Sequence, residues 1–139
     1  DLSLVDWLIV NEVEGRQLAG DCPEEEILSV LSRQYPSMSI LLTLGSRGAV
    51  CLHQGERHTI GVCSVQAVDT TAAGDTFSGY FMYGVLHGLP IPDCLRLATA
   101  ASALCVGRAG AADSVPLKSE VDQALAQGSL EVPLARKEG

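Results

Sequence analysis

The chain has few basic residues, so it has little positive charge with which to attract anionic ligands. Nine lysines and arginines stand against 17 aspartates and glutamates among 139 residues, which gives a net charge of −8. A nucleic-acid surface needs Lys and Arg concentrated along one face, so the composition argues against a nucleic-acid partner. An anionic small ligand must instead be bound by local backbone N–H groups or by metal ions.

Several common patterns are absent from the sequence. No Gly-x-x-x-x-Gly-Lys occurs, which excludes the usual P-loop NTPases, and no Gly-x-Gly-x-x-Gly occurs, which argues against a nicotinamide-dependent oxidoreductase. No apolar run reaches the ~20 residues of a membrane span, so we expect no membrane partner. The five cysteines are odd in number and none are spaced as Cys-x-x-Cys, which predicts reduced, buried thiols in a cytoplasmic protein.

Strand-like and helical segments alternate along the chain. This alternation predicts an α/β fold with a mostly parallel sheet covered by helices on both faces. The polar tail at 128–139 is expected to fray. We predict strands at 7–10 and 40–44, a hairpin of 49–53 with 57–60, an extended piece at 62–68, and helices at 12–18, 22–34, 74–87, 92–106 and 118–126.

Three polar motifs follow predicted strands. Asn11 comes directly after the first strand, Thr43 ends another, and residues 69–75 follow the extended piece. Ligands of open α/β sheets bind beyond the carboxyl ends of the strands. The sequence therefore predicts one site at this rim.

Residues 69–77, Asp-Thr-Thr-Ala-Ala-Gly-Asp-Thr-Phe, are the most informative stretch. A helix is predicted to begin near Gly74, where unpaired N–H groups and the helix dipole make an anion site. Asp75 lies in the first turn and faces the same space. An anion site beside a carboxylate base suits phosphoryl transfer to a hydroxyl. The alternative for Asp75 is an acid that only stabilises the helix start.

This stretch resembles the C-terminal signature of the ribokinase-like (PfkB) carbohydrate kinases, usually Asp-Thr-Thr-Gly-Ala-Gly-Asp-x-Phe, with Ala72 where many members have Gly. Residues 11–14 resemble the family's Asn-x-x-Glu, residues 43–48 its Thr-x-Gly-x-x-Gly, and residues 108–116 its Gly-Ala…Ser-x-Pro segment. The motifs occur in the family's order and span roughly residues 4–127. The resemblance implies a ribokinase-like, Rossmann-like fold.

The resemblance also implies an ATP-dependent kinase that moves the γ-phosphate to a hydroxymethyl group of a small sugar. Asp75 would be the general base. The small residues Ala72, Ala73 and Gly74 would let the transferring phosphoryl group approach the backbone N–H groups. The residues that would hold the nucleotide phosphates are Thr43, Gly45, Ser46 and Gly48.

Metal sites are implied by the same resemblance. Asn11 and Glu14 lie one helical turn apart and would hold Mg²⁺ through water, with a helix N-cap and a solvated acid as the alternative. Asp69, Thr71 and Ser114 resemble the K⁺ loop of members that use that ion. In the alternative, Asp69 only ties the loop to nearby N–H groups.

Two further sets of residues are weaker candidates. Thr99 and Ala101 are candidates for lining an adenine pocket, and a buried helix face is the alternative. His53, His58 and His87 show no partner pattern, so we expect surface or hydrogen-bonded histidines without a role in the site.

The chain begins at Asp1 rather than Met and is shorter than members of the family. We therefore expect residues 1–139 to be the C-terminal nucleotide-binding and catalytic part of a ribokinase-like domain, inactive without a sugar-binding half. The strand at 7–10 would expose an unpaired edge, which predicts a homo-oligomer. The alternatives are a non-catalytic nucleotide-binding module, or a fructokinase, ketodeoxygluconate kinase or nucleoside kinase of the same family.

Overall fold

Strands and helices alternate through the first part of the chain, as the sequence predicts. The computed structural model describes residues 6–61, 73–106, 118–127 and 133–138, and the chain divides into two compact units, residues 1–59 with 136–139 and residues 60–135. The strands are β1 (Asp6–Asn11), β2 (Met38–Thr43), β3 (Ala49–His53), β4 (Glu56–Ile60) and β5 (Arg136–Glu138). The helices are α1 (Glu12–Ala19), α2 (Glu24–Gln34), α3 (Ala73–Leu86), α4 (Ile91–Val106) and α5 (Lys118–Gln127), with a short 3-10 turn at Gly45–Arg47.

The predicted elements agree with these bounds to within about two residues, which is the usual uncertainty of a helix or strand end. The extended piece predicted at 62–68 lies outside the described residues. Among the described residues, no helix is both long enough and apolar enough to cross a membrane.

The sheet runs in the order β1-β2-β3-β4-β5. β1 and β2 are parallel, whereas β2–β3 and β4–β5 are antiparallel. The α/β class is therefore confirmed, but the described sheet is mixed rather than mostly parallel. A short turn explains the β2–β3 pair, since a chain that reverses within a few residues must pair antiparallel to the strand it has just left, whereas β5 reaches β4 from residues 136–138. At the β3–β4 hairpin, Gln54 and Gly55 take the positive φ angles, 53° and 79°, of a tight two-residue turn.

The end of the chain corrects one prediction. The tail from residue 128 was expected to fray, yet β5 pairs with β4, Lys137 opposite His58. Lys137 Nζ also lies 3.3 Å from a carboxylate oxygen of Glu56. Polar side chains do not prevent this, because a strand added to a sheet edge is held by backbone hydrogen bonds and cross-strand charge pairs.

Helices α1 and α2 pack on the sheet of the first unit. Their close approach needs a glycine, because a Cβ at Gly15 would lie 2.9 Å from Ile27 Cγ2 and 3.3 Å from Leu42 Cδ1. The apolar core on this side consists of Val10, Ile27, Leu28, Leu31, Ile40 and Leu42. Burial of this core holds the ends of β1 and β2, and with them the start of α1, in fixed positions.

Helices α3, α4 and α5 form the described part of the second unit. Ala100 and Ala101 of α4 are fully buried and pack with Leu97 and Val121. The small residues of α4 let the helices approach closely, and Gly84 of α3 does the same where it faces Cys94. Of the cysteines that the structure describes, Cys51, Cys94 and Cys105 are buried free thiols and Cys22 is a half-buried one; Cys63 lies outside the described residues.

Two glycines of α3 give a matched test of this packing. A Cβ at Gly84 would lie 2.8 Å from Cys94 Sγ and 3.3 Å from Cys94 Cα, whereas one at Gly79 meets nothing within 4 Å. We expect Gly84→Ala to lower the free energy of unfolding by about 1–3 kcal/mol through overpacking. Gly79→Ala, the control, should raise it by up to ~1 kcal/mol through helix propensity. Denaturant unfolding measures both, and equal effects of the two changes would contradict the packing described here.

Candidate functional site

The carboxyl ends of β1 and β2 place two motifs side by side. Asn11 is the register partner of Thr43 in the parallel ladder, as expected from the rule that such ends share one rim. The Thr43 hydroxyl also donates to the Val10 carbonyl, at 3.5 Å. The side chains of the Asn-x-x-Glu and Thr-x-Gly-x-x-Gly motifs thus start from neighbouring points of one sheet.

Asn11 and Glu14 form a reciprocal cap at the start of α1. The Glu14 N–H donates to Asn11 Oδ1 at 2.8 Å, and the Asn11 N–H donates to Glu14 Oε1 at 3.0 Å. This is a capping box, which satisfies two backbone donors that a helix start leaves open. Both side chains are exposed. Asn11 is therefore the N-cap of α1, which was the alternative to a metal-binding role. Metal binding by Asn11 and Glu14 stays a prediction.

Backbone hydrogen bonds and two glycines with positive φ angles determine the conformation of the turn after β2. The Leu44 N–H donates to the Gly48 carbonyl at 2.8 Å, and the N–H groups of Arg47 and Gly48 donate to the carbonyls of Leu44 and Gly45, both at 3.2 Å. Gly45 and Gly48 have φ angles of 60° and 98°, a region that L side chains rarely adopt. The space in front of Gly45 is open, so a ligand can approach the backbone there.

An ion pair connects this turn to the capped helix. The Arg47 guanidinium contacts the Glu12 carboxylate across 35 residues of sequence. The sequence reasoning gave no role to either side chain. The only available signal was the opposite charge of two residues within separate motifs, which does not reveal contact by itself.

The first turn of α3 carries the proposed base. Asp75 lies in that turn and is exposed, as is Gly74, while Thr76 and Phe77 are buried. The Thr76 hydroxyl donates to the Cys105 thiol of α4 at 3.6 Å, which ties the helix start to its neighbour. The described helix starts at Ala73, close to the predicted start, with its acid in the first turn, and a Cβ at Gly74 would meet no described atom within 4 Å.

Thr99 is buried within α4 and does not line an open pocket among the described residues. Its side chain is 3% exposed, and its hydroxyl donates to the Leu95 carbonyl at 2.7 Å. Ala101 is fully buried in the core of the second unit. These contacts favour the alternative of a buried helix face, and the adenine contact of Thr99 stays a prediction.

His53 and His87 have local partners. His58 is buried instead, with Nε2 3.4 Å from a carboxylate oxygen of Glu56 and with no hydrogen-bond partner for Nδ1 in the described part of the chain. His53 Nδ1 lies 2.6 Å from the Ser39 hydroxyl, its ring stacks on Trp7, and burial together with the nearby His58 lowers its pKa. His87 Nδ1 lies 2.8 Å from the Tyr83 carbonyl oxygen. These contacts assign the two rings to local packing.

Several candidates fall outside the described residues. They are Asp69, Thr71, Ala72 and Ser114, together with the side chains of Ser46 and Ala73. Within the part of the chain that the structure describes, no group of three or more His, Cys, Asp or Glu side chains is arranged to hold a metal ion. The K⁺ site therefore remains a sequence prediction.

The match to a known family covers most of the chain. Residues 2–118 match the pfkB family carbohydrate kinases, and these residues include the cap, the 44–48 turn and the start of α3. The chain belongs to this family. The pfkB family relatives include a ribokinase of Schizosaccharomyces pombe, 48% identical over 85 residues, which are 60% of this chain and 27% of that protein. A ribokinase of Lactococcus lactis is 39% identical over 86% of this chain and 38% of its own length.

The fold agrees with that of pfkB family structures. The structure of an Arabidopsis thaliana ribokinase, described as complexed with ribose and ATP, matches with a TM-score of 0.78 and 35% identity over 86% of this chain and 40% of that one. The ribokinase-like fold predicted from the sequence is thereby confirmed. The chain spans about two fifths of the length of the Lactococcus and Arabidopsis relatives.

The capping box can be tested separately from any ligand. Asn11→Ala removes the acceptor for the Glu14 N–H and should lower the free energy of unfolding by about 1 kcal/mol. Asn11→Asp keeps an acceptor of the same length and should stay close to the unmodified protein. Denaturant unfolding of the full-length protein measures both changes. If Asn11→Ala were as stable as Asn11→Asp, the cap would contribute nothing to the helix.

Proposed function

We propose that the protein carrying this chain is an ATP-dependent kinase that transfers the γ-phosphoryl group to a hydroxymethyl group of a small sugar. Membership of the pfkB family supports the reaction class. The observation that carries the proposal is the exposed Asp75 in the first turn of α3, where a carboxylate base lies beside a helix start suited to anions. The Arabidopsis relative, whose structure is described as holding ribose and ATP, supports these two substrate classes.

Asp75 acts in this proposal as the general base. Its carboxylate accepts the proton of the attacking hydroxyl, which strengthens the nucleophile as its bond to the γ-phosphorus forms and the bond from that phosphorus to the bridging oxygen breaks, releasing ADP. The N–H groups of Ala73, Gly74 and Asp75 receive the oxygens of the transferring phosphoryl group. Positive N–H dipoles placed in advance stabilise the charge on these oxygens without reorganisation.

The 44–48 turn supplies the nucleotide-phosphate contacts in the proposal. Its internal hydrogen bonds use the N–H groups of Leu44, Arg47 and Gly48. We assign the N–H groups of Gly45 and Ser46, with the Thr43 hydroxyl, to the phosphates of ATP. These 139 residues carry a net charge of −8, which does not attract anions, so local donors of this kind are needed to bind a polyphosphate here.

Mg²⁺ fits the capped start of α1. Glu14 is exposed, and its Oε1 is held by the Asn11 N–H, so its carboxylate is fixed and presents hard oxygen ligands to solvent. Mg²⁺ prefers such oxygens and keeps several waters. Glu14 and Asn11 would hold the ion through water, and the ion would neutralise charge on the phosphates. A cytoplasmic homo-oligomer completes the proposal.

The role of Asp75 has a matched control in the same unit. We expect Asp75→Asn to reduce sugar-dependent ATP turnover about 10²–10⁴-fold in the full-length protein, because the amide cannot accept the proton. ATP affinity should change little. Asp93→Asn removes another exposed first-turn acid, in α4, and should leave turnover unchanged. Near-normal turnover of Asp75→Asn, measured beside ATP binding, would remove Asp75 from the mechanism.

The proposal also includes a potassium site. We propose that Asp69, Thr71 and Ser114 bind K⁺ and order the residues before α3. Turnover of the full-length protein should then rise when K⁺ replaces Na⁺ at constant ionic strength, and Asp69→Asn should lose this response. Equal turnover in the two ions would reject the potassium site and leave the kinase assignment unaffected.

A further inference from the structure

The ion pair of Glu12 with Arg47 joins the two motifs that the proposed function uses for the nucleotide. Glu12 is the first residue of α1 and lies between the capping residues Asn11 and Glu14. Arg47 is the last residue of the 3-10 turn that follows β2. The segments that follow the paired ends of β1 and β2 are therefore joined a second time, by the contact of these two side chains.

Backbone pairing and hydrogen bonds connect the other parts of these two motifs. The register of β1 with β2 fixes Asn11 beside Thr43, the cap fixes the direction of α1, and three backbone hydrogen bonds fix the 44–48 turn. The ion pair is a side-chain connection between the capped helix and the turn. Its arginine offers a planar fork of donors, which holds a carboxylate in a defined orientation better than a lysine does.

The exposure of the pair argues against a role in folding alone. Arg47 is 53% and Glu12 is 28% exposed, and ion pairs in such positions contribute little to stability. Because the pair lies between the phosphate site and the metal site of the proposed function, it can set where one ligand lies relative to the other. A guanidinium on the turn also brings positive charge to the region where the proposed function places the phosphates.

We propose that Glu12 and Arg47 are positioning residues that couple the phosphate-binding turn to the metal-binding cap. This inference rests on the proposed function. In it, Arg47 holds the 44–48 turn against α1 through Glu12, so that the phosphates on the turn and Mg²⁺ on Glu14 meet at the right separation. Loss of the pair leaves each site intact and weakens the cooperation between them.

The coupling is measured by the effect of Mg²⁺ on nucleotide binding. ATP affinity of the full-length protein is determined with and without Mg²⁺ for Glu12→Gln, Arg47→Gln, the double variant, and the charge-swapped pair Glu12→Arg with Arg47→Glu. We expect either single change to weaken binding of MgATP about fivefold and of metal-free ATP less than twofold. The double variant should be no weaker than the single ones, and the swapped pair should recover most of the loss.

Lys137→Gln serves as the matched control. It breaks another exposed ion pair of the first unit, with Glu56, beside the β3–β4 hairpin. That hairpin lies at the opposite end of the sheet from Thr43, because β3 runs back from the rim. The control should leave both affinities unchanged.

Other outcomes would overturn the coupling. Additive effects, equal losses with and without Mg²⁺, or no effect would each reject it. Weaker binding in Arg47→Gln with tighter binding in Glu12→Gln would instead make Arg47 a direct phosphate ligand with which Glu12 competes. Failure of the unmodified protein to bind MgATP would reject the proposed function itself, which separates the two results.

Discussion

The parallel pairing of β1 with β2 is the constraint on which the first part of the candidate site depends. It places Asn11 opposite Thr43, although 31 other residues separate them in the printed sequence. A slip of the ladder by one residue would turn every side chain of a strand to the other face. The buried core of Val10, Ile40 and Leu42 beneath α1 and α2 prevents such a slip, and so a packing interaction fixes the positions of polar groups that take no part in the packing.

The capping box shows that a structural role and a functional role need not exclude each other. Asn11 and Glu14 satisfy backbone donors at the start of α1, and this same bonding fixes the orientation of both side chains. A carboxylate held in this way loses less entropy when it binds an ion than a mobile one does. Asn11 and Glu14 therefore cap the helix, and this role is compatible with the proposed magnesium site.

Sequence reasoning found most elements because their apolar periodicity is strong. It placed Asn11 and Thr43 at one rim from strand ends alone, and it located the start of α3 near Gly74. It missed β5, whose short sequence Arg-Lys-Glu carries no apolar pattern. The described strands form a mixed sheet, with β1 and β2 parallel and with β2–β3 and β4–β5 antiparallel. The Glu12–Arg47 pair also escaped it, because contact between residues 35 positions apart follows from the tertiary fold and not from local pattern. The sequence correctly predicts that Thr99 lies in a helix, but its burial depends on tertiary contacts, which the local sequence pattern does not reveal.

The most direct test of the account is a map of where a nucleotide protects the backbone. Amide hydrogen exchange of the full-length protein, with and without Mg²⁺ and a non-hydrolysable ATP analogue, reports this segment by segment. The account predicts slower exchange in peptides that cover residues 43–48 and the first turn of α3 at 73–76, and unchanged exchange in the hairpin at 53–57. Protection confined to other segments, with both of these unaffected, would contradict the assignment of this part of the protein to nucleotide binding and phosphoryl transfer.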